Sequence, residues 1–541
     1  MKNKYLFGML VFLMLLHNKS ISQEYEFTKQ DTLRGSITPE RAWWDLTYYH
    51  LDIAVDLDNK FIKGSNTIEY KVLEPNKKLQ VDLQSPLKIT KVEQNGKELT
   101  FSSEGSAHFI NLIDKQRKGK INSVKVYYEG NPKEAVRAPW DGGLSWTRDS
   151  NGKHFAATSC QGIGASIWWP NKDHMYDEVD SMLISVNVPK GLMNISNGRL
   201  KKIEEFEDTN TYHWYVSNPI NNYGVNINIG DYVEFSEVYE GEKGKLDMIY
   251  YVLRDNIERA KTQFKDAVKM MDAFEYWFGP YPFYEDSFKI VEVPYLGMEH
   301  QSSITYGNKY MKGYLGRDLS RTGWGLKFDY IIIHEAGHEW FANNITYKDI
   351  ADMWIHESFT TYSENLFLDY HYGKEASSEY VIGTRASISN SAPMIGPYGV
   401  NQRGSDIYSK GANVLHTIRQ IANSDEKWRR ILRGLNKDFY HQTVETKQIE
   451  NYISDKMGYD LSTFFDQYLR TTNIPVFEYK LNDGLLEYKW TNVVDGFKMP
   501  VEVFVGDEKI RLNPTQETKS IDVKSEKIRL DKNYYVNINK V

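Results

Sequence analysis

The period of the hydrophobic residues changes twice along this chain, and no other feature narrows its architecture as much. From Trp43 to about Glu240 apolar and polar residues alternate. Tyr49, Leu51, Ile53, Val55 and Leu57 are interleaved with His50, Asp52, Ala54 and Asp56. Period two places the two sets on opposite faces of a β-strand. A polar turn at Asp58-Asn59-Lys60 leads into a second alternating run over 67–72, and Asn95-Gly96 has the composition of a tight hairpin turn. Residues 123–128, 181–188 and 211–216 repeat the strand pattern. At about Asn256 the period becomes helical: Ile257, Ala260, Phe264, Ala267, Val268 and Met271 share one face. That run stops at Gly279-Pro280-Tyr281-Pro282. A short strand at 288–293 comes next, then helical patterning from Leu326 to about Arg470, including 411–421, 428–435 and 461–469. Strand patterning returns after Asn473, at 477–481, 485–490, 501–505 and 527–530.

A chain of 541 residues is too long for one hydrophobic core. The expected architecture is a multidomain α+β protein: a β-rich domain over 23–245, a mainly helical domain over 246–472, and a small C-terminal β-sandwich over 473–541. Residues 1–22 have the pattern of a signal peptide, with Lys2 and Lys4, an apolar run over 7–16, and Ser20-Ile21-Ser22 before Gln23. The apolar run is short for a bilayer span, and no later stretch has a membrane-spanning pattern. The single Cys160 excludes an intramolecular disulfide. An exported, disulfide-free protein fits a bacterial periplasm or exterior, with no membrane association after leader cleavage. The net charge of −7 and the lack of a Lys/Arg stripe argue against nucleic acid as a partner.

Inside the helical region lies Ile331-Ile332-Ile333-His334-Glu335-Ala336-Gly337-His338. Residues four apart lie on one helix face, so His334 and His338 aim at a common point, and zinc accepts such a nitrogen pair. Glu335 is placed to act as general base on water at the metal. A five-residue pattern arises easily by chance, so a third ligand matters. Glu357, 19 positions after His338, lies within the next helix-like run over 352–362. The alternative of a Gly and a third His soon after the motif is absent, since Phe341 and Asn344 occupy those places. Two His, one Glu and an open position describe a catalytic zinc hydrolase with one Zn2+ per chain. Glu364 comes seven residues after Glu357 and shares its face. It is expected either to hydrogen-bond a zinc-binding His or to form a surface ion pair.

With these residues in place, the chain resembles the aminopeptidase N-like zinc aminopeptidases of the gluzincin class. The resemblance begins at Tyr49-His50-Leu51-Asp52, continues through Tyr276-Trp277-Phe278-Gly279-Pro280-Tyr281-Pro282-Phe283, and is most specific at His334, Glu335, His338 and Glu357. It implies a saddle-like β domain, a thermolysin-like catalytic domain and a β-sandwich. Only about 70 residues lie beyond the catalytic region, so the helical domain that often comes next is expected to be missing. The family's Gly-Ala-Met-Glu-Asn signature appears as Leu296-Gly297-Met298-Glu299-His300. By resemblance Glu299 binds the substrate's free α-ammonium, with Gly297 and Met298 beside it. Leu296, Gly297 and His300 depart from the signature, and His300 is expected to make the pocket pH-sensitive. Thr158-Ser159-Cys160-Gln161 is similar to a loop whose last residue also meets the amine, which assigns Gln161 to the substrate. Cys160 reads as a small buried apolar residue, and Trp168-Trp169 as core rather than subsite. Tyr408-Ser409-Lys410-Gly411 resembles the family's Tyr-x-Lys-Gly motif and gives Tyr408 the role of oxyanion donor.

The expected function is a zinc aminopeptidase acting on peptides with a free amino terminus. The alternatives are a zinc endopeptidase without the amine anchor, and a catalytically inactive peptide-binding protein on the same fold. The presence of all three ligands and the base argues against the latter.

Overall fold

Alternation at period two is realised in β1 (Trp44–Asp56) and β2 (Phe61–Val72) of a computed structural model that describes residues 26–541. The leader expected at 1–22 lies outside the described residues. Along β1, Tyr49, Leu51, Ile53 and Val55 are buried while Asp52, Ala54 and Asp56 are exposed. At the predicted hairpin, Gln94 pairs with Lys97, and Asn95 and Gly96 both take positive φ, 52° and 74°, as a two-residue turn with matching twist requires.

β1 and β2 are neighbours in an eight-stranded sheet. A second, four-stranded sheet contains β3 (His154–Ser159), whose C-terminal end delivers Cys160 and Gln161. In the first sheet β1 also pairs in parallel with β4 (Ser181–Pro189), Ile53 opposite Val186. Trp168 and Trp169 are fully buried in the apolar cluster shared by these sheets, so they are core residues.

The catalytic half is built on a five-stranded sheet. Its strands are β5 (Tyr232–Gly241), β6 (Gly244–Leu253), β7 (Phe288–Glu292), β8 (Gly297–Met298) and β9 (Ile304–Tyr306), in the spatial order β5-β6-β7-β9-β8. β5 and β6 form one continuous hairpin, and β6 pairs in parallel with β7. This sheet therefore begins at Tyr232 rather than after residue 245, because strand pairing joins 232–245 to β7 through β6. The predicted helix after Asn256 breaks at Phe264 into Ile257–Gln263 and α1 (Lys265–Phe278). Gly279 ends α1 with φ 95°.

The next helix, α2 (Tyr330–Gly337), is capped by Asp329, which accepts from the backbone N–H of Ile331 and Ile332. The same carboxylate accepts from the Tyr306 hydroxyl at 2.7 Å and so fixes the helix start to β9. α3 (Trp354–Tyr372) packs on α2, and α4 (Ser409–Ala422) packs on α3. A side chain at Gly411 would meet Ser358 Oγ at 1.8 Å, so this glycine permits the α3–α4 contact. The C-terminal residues form a four-stranded and a three-stranded sheet. Phe477, Trp490, Val501 and Val503 from these sheets join the same apolar cluster as Ile418 and Leu469 of the helical region. No described helix is long and apolar enough to cross a membrane.

Candidate active site

α2 and α3 bring His334, His338 and Glu357 together from two helices. Glu357 Oε2 lies 3.7 Å from His334 Nε2 and 3.5 Å from His338 Nε2. Zinc ligands sit ~2.0–2.1 Å from the ion, which sets tetrahedral ligand atoms roughly 3.3 Å apart. Glu357 Oε2 is buried and has no hydrogen-bond donor, an orphaned acceptor aimed between two imidazoles. Two nitrogens and a carboxylate oxygen in this arrangement fit a zinc ion.

The outer partners of the ligands select the tautomers that such an ion needs. His334 Nδ1 lies 2.8 Å from Glu364 Oε1, and the other oxygen of Glu364 accepts from the Tyr380 hydroxyl. Glu364 is buried, so it holds the imidazole rather than forming a surface ion pair. His338 Nδ1 lies 3.1 Å from the Phe341 carbonyl and 3.0 Å from Thr360 Oγ1. A hydrogen on each Nδ1 satisfies these acceptors and leaves both Nε2 lone pairs facing Glu357. Burial alone would lower the His334 pKa, but Glu357 and Glu364 outweigh it and hold it well above the usual value. Burial likewise opposes, and Glu357 raises, the pKa of His338. Burial would raise the Glu357 carboxyl, yet the two imidazoles hold it well below the usual range. His334 and His338 would give up those protons to hold a divalent cation against the Glu357 carboxylate.

The remaining predicted residues line the same cleft of about 360 Å³. Burial pushes the Glu335 carboxyl up to about 7, with His334 opposing the rise and Glu299 adding to it. Gln161 reaches from the end of β3 into the catalytic half, where its Nε2 donates to Glu299 Oε1 at 2.5 Å and to Glu357 Oε1 at 3.0 Å. One amide thus bridges the proposed amine anchor and a metal ligand. Glu299 is buried, which raises its pKa, and its carbonyl accepts from Asn343 Nδ2 at 2.9 Å. Gly297 and Met298 form the edge strand β8, Gly297 opposite Tyr306. A Cβ at Gly297 would lie 2.6 Å from Ile331 Cγ2, so this glycine lets the edge strand approach α2. Tyr408 caps the start of α4 with its ring centroid 6.2 Å from that of His334. Burial and nearby Glu357 raise its hydroxyl pKa well above the usual value.

The expectation for His300 is corrected, and that for Cys160 agrees with its burial. His300 is fully buried, does not line the cleft, and has its pKa lowered by burial to about 3. It stays neutral at physiological pH, which removes it as a pH-sensitive element of the pocket. Cys160 is also fully buried, and burial raises its thiol pKa, so it is no nucleophile. Sequence reasoning did not single out Trp140, Tyr314 or Arg403, which are among the other residues lining the cleft. Only Arg403 carried a signal, its place five residues ahead of Tyr408.

The Peptidase M1 N-terminal domain family matches residues 46–223, and the Peptidase family M1 domain matches residues 262–468. A probable aminopeptidase 1 of Saccharolobus solfataricus is 24% identical over 86% of this chain and 59% of its own length. A leukotriene A-4 hydrolase of Xenopus laevis is 22% identical, with 85% of this chain and 77% of that protein covered. The chain spans about 60% of the length of the first of these curated relatives. An M1 zinc metallopeptidase of Deinococcus radiodurans superposes with a TM-score of 0.67 at 18% identity, covering 82% of this chain and 98% of that one. The two family matches together take in more than half of the sequence and meet at the cleft that holds His334, His338 and Glu357, and on that ground the chain belongs to peptidase family M1.

Proposed function

We propose that this protein is a zinc-dependent aminopeptidase that removes the first residue from peptides with a free amino terminus. The observation that carries this reading is the buried Glu299 carboxylate, joined through Gln161 to the metal ligand Glu357. A buried carboxylate beside the reacting centre pairs strongly with an ammonium group and measures one residue from the chain end. Zinc held by His334, His338 and Glu357 supplies Lewis acidity, which lowers the pKa of water and polarises a carbonyl. Glu335, which lines the cleft beside His334 and His338, takes a proton from the attacking water and passes it to the departing amine. Tyr408 donates its hydroxyl hydrogen to the oxygen on which negative charge develops. Among the described residues β8 has no partner strand on its outer side, the kind of edge along which an extended peptide adds a strand. A related M1 metallopeptidase from Deinococcus radiodurans was crystallised with a Tyr-Ser-Ala substrate, which supports a peptide in this cleft.

The test is hydrolysis of one peptide with a free and with an acetylated amino terminus by zinc-loaded protein. Cleavage of the free form alone is expected. Equal cleavage of both would favour the endopeptidase alternative and remove Glu299 as an anchor. Export belongs to the same proposal and rests on the pattern of residues 1–22. An N-terminal sequence of the native protein that begins at Met1 would remove it.

A further inference from the structure

The catalytic cleft does not end at Tyr408. Tyr408 and Arg403 line both the cleft and an adjoining groove of about 700 Å³, whose walls include Gly404, Ser405 and Ser409. Arg403 is the one Lys or Arg among the described residues lining the cleft, against the carboxylates of Glu299, Glu335 and Glu357. Among the described residues its guanidinium makes no ion pair or hydrogen bond, and its carbon stands 6.0 Å from the centroid of the Tyr408 ring. The nearest acid on its own segment, Asp406, is occupied: it accepts from the backbone N–H of Ser389 and Asn390 and from the Ser389 hydroxyl. An exposed guanidinium at the mouth of an acidic cleft, with no carboxylate of its own, is free to take one from a ligand.

We infer that Arg403 binds the terminal carboxylate of di- and tripeptide substrates, so that short peptides are the preferred class. The inference rests on the aminopeptidase reading. An extended chain advances ~3.3–3.6 Å per residue. With the scissile carbonyl beside Tyr408, a carboxylate one or two residues further on lies ~3.5–7 Å away, a reach that matches the 6.0 Å between the Tyr408 ring and the Arg403 guanidinium. The planar guanidinium matches a carboxylate through two parallel N–H···O bonds, a geometry that a lysine ammonium does not offer. Gripped at the ammonium by Glu299 and at the carboxylate by Arg403, a short peptide is measured at both ends.

The experiment compares kcat/KM for Leu-Gly-Gly, for Leu-Gly-Gly amide and for a hexapeptide with the same first three residues. It uses the zinc-loaded native protein, Arg403→Ala and Arg403→Lys. The native protein is expected to favour the free acid over the amide by about tenfold, mainly in KM, since the site is open to solvent. It is also expected to favour the tripeptide over the hexapeptide. In Arg403→Ala the acid-to-amide ratio falls towards one, and Arg403→Lys keeps part of it. A native ratio near one overturns the inference and leaves the aminopeptidase reading standing. So does an Arg403→Ala variant that loses acid and amide cleavage equally. Failure of the native protein to cleave any of the three overturns the reading and the inference together.

Discussion

Removing the carboxylate of Glu364 tests whether this site is held as a zinc site. Glu364 touches no substrate. It is buried, accepts from His334 Nδ1 at 2.8 Å, and is tied in turn by the Tyr380 hydroxyl. Its role is therefore to fix the His334 ring and keep the hydrogen on Nδ1, so that Nε2 faces Glu357. A hydrogen bond to a charged group contributes roughly 1.5–3 kcal/mol. At 1.36 kcal/mol per decade, losing it in Glu364→Ala corresponds to a zinc affinity weaker by ~10–150-fold, in line with the 10–100-fold typical of outer partners. Glu364→Gln keeps an acceptor for Nδ1 and the shape of the side chain while losing the charge. Its loss is expected to fall at the lower end of that range. The assay is zinc competition against a chelating dye at fixed pH, with circular dichroism and thermal melting of the metal-free variants to show that both are folded. The order of affinity expected is native, then Glu364→Gln, then Glu364→Ala. A folded Glu364→Ala that binds zinc within about threefold of the native protein, a difference under ~0.7 kcal/mol, refutes the assignment.

Three further outcomes are expected. Tyr408→Phe removes the proposed oxyanion donor and should lower kcat by ~10²–10³ with a small change in KM; an unchanged kcat assigns that charge to another group. Gly297→Ala places a methyl group 2.6 Å from Ile331 Cγ2 and 3.0 Å from the Thr305 carbonyl. Overpacking of this kind costs about 1–3 kcal/mol, read as a lower urea midpoint, and an unchanged midpoint would mean that β8 is free to shift. His300 has its folded pKa depressed to about 3, so between that value and ~6.5 the unfolded chain binds the extra proton and stability falls as pH drops. From pH 7 to pH 5 the native protein should lose ~2 kcal/mol more stability than His300→Asn, and equal losses would place His300 in contact with water.

Much of the fold was legible because it rests on local order. The alternation through Tyr49, Leu51, Ile53 and Val55 reflects one face of one strand, and β1 buries those residues. His334 and His338 are one helical turn apart, so their convergence needs no knowledge of the rest of the chain. Glu357 required one further assumption, that the next helix packs back on the first, and α3 does so. The boundary after residue 245 was less legible, because period two continues through β5 and β6 whichever sheet they join. The pairing of β6 with β7 assigns them to the catalytic half.

The residue types and spacings, properties of the covalent chain, were enough to point to the helix, to the candidate metal ligands His334, His338 and Glu357, and to Glu335 beside them. Tertiary structure alone decided what surrounds them. Gln161 donates across 138 residues of sequence to Glu299, and Glu364 rather than solvent takes His334 Nδ1. Trp140 and Arg403 share one cleft although neither belongs to a periodic pattern. Such contacts depend on how separate sheets and helices dock, and docking is governed by the shape and burial of whole faces. For a loop residue such as Arg403 the sequence shows only its spacing from Tyr408, and the fold alone places its charge beside that ring.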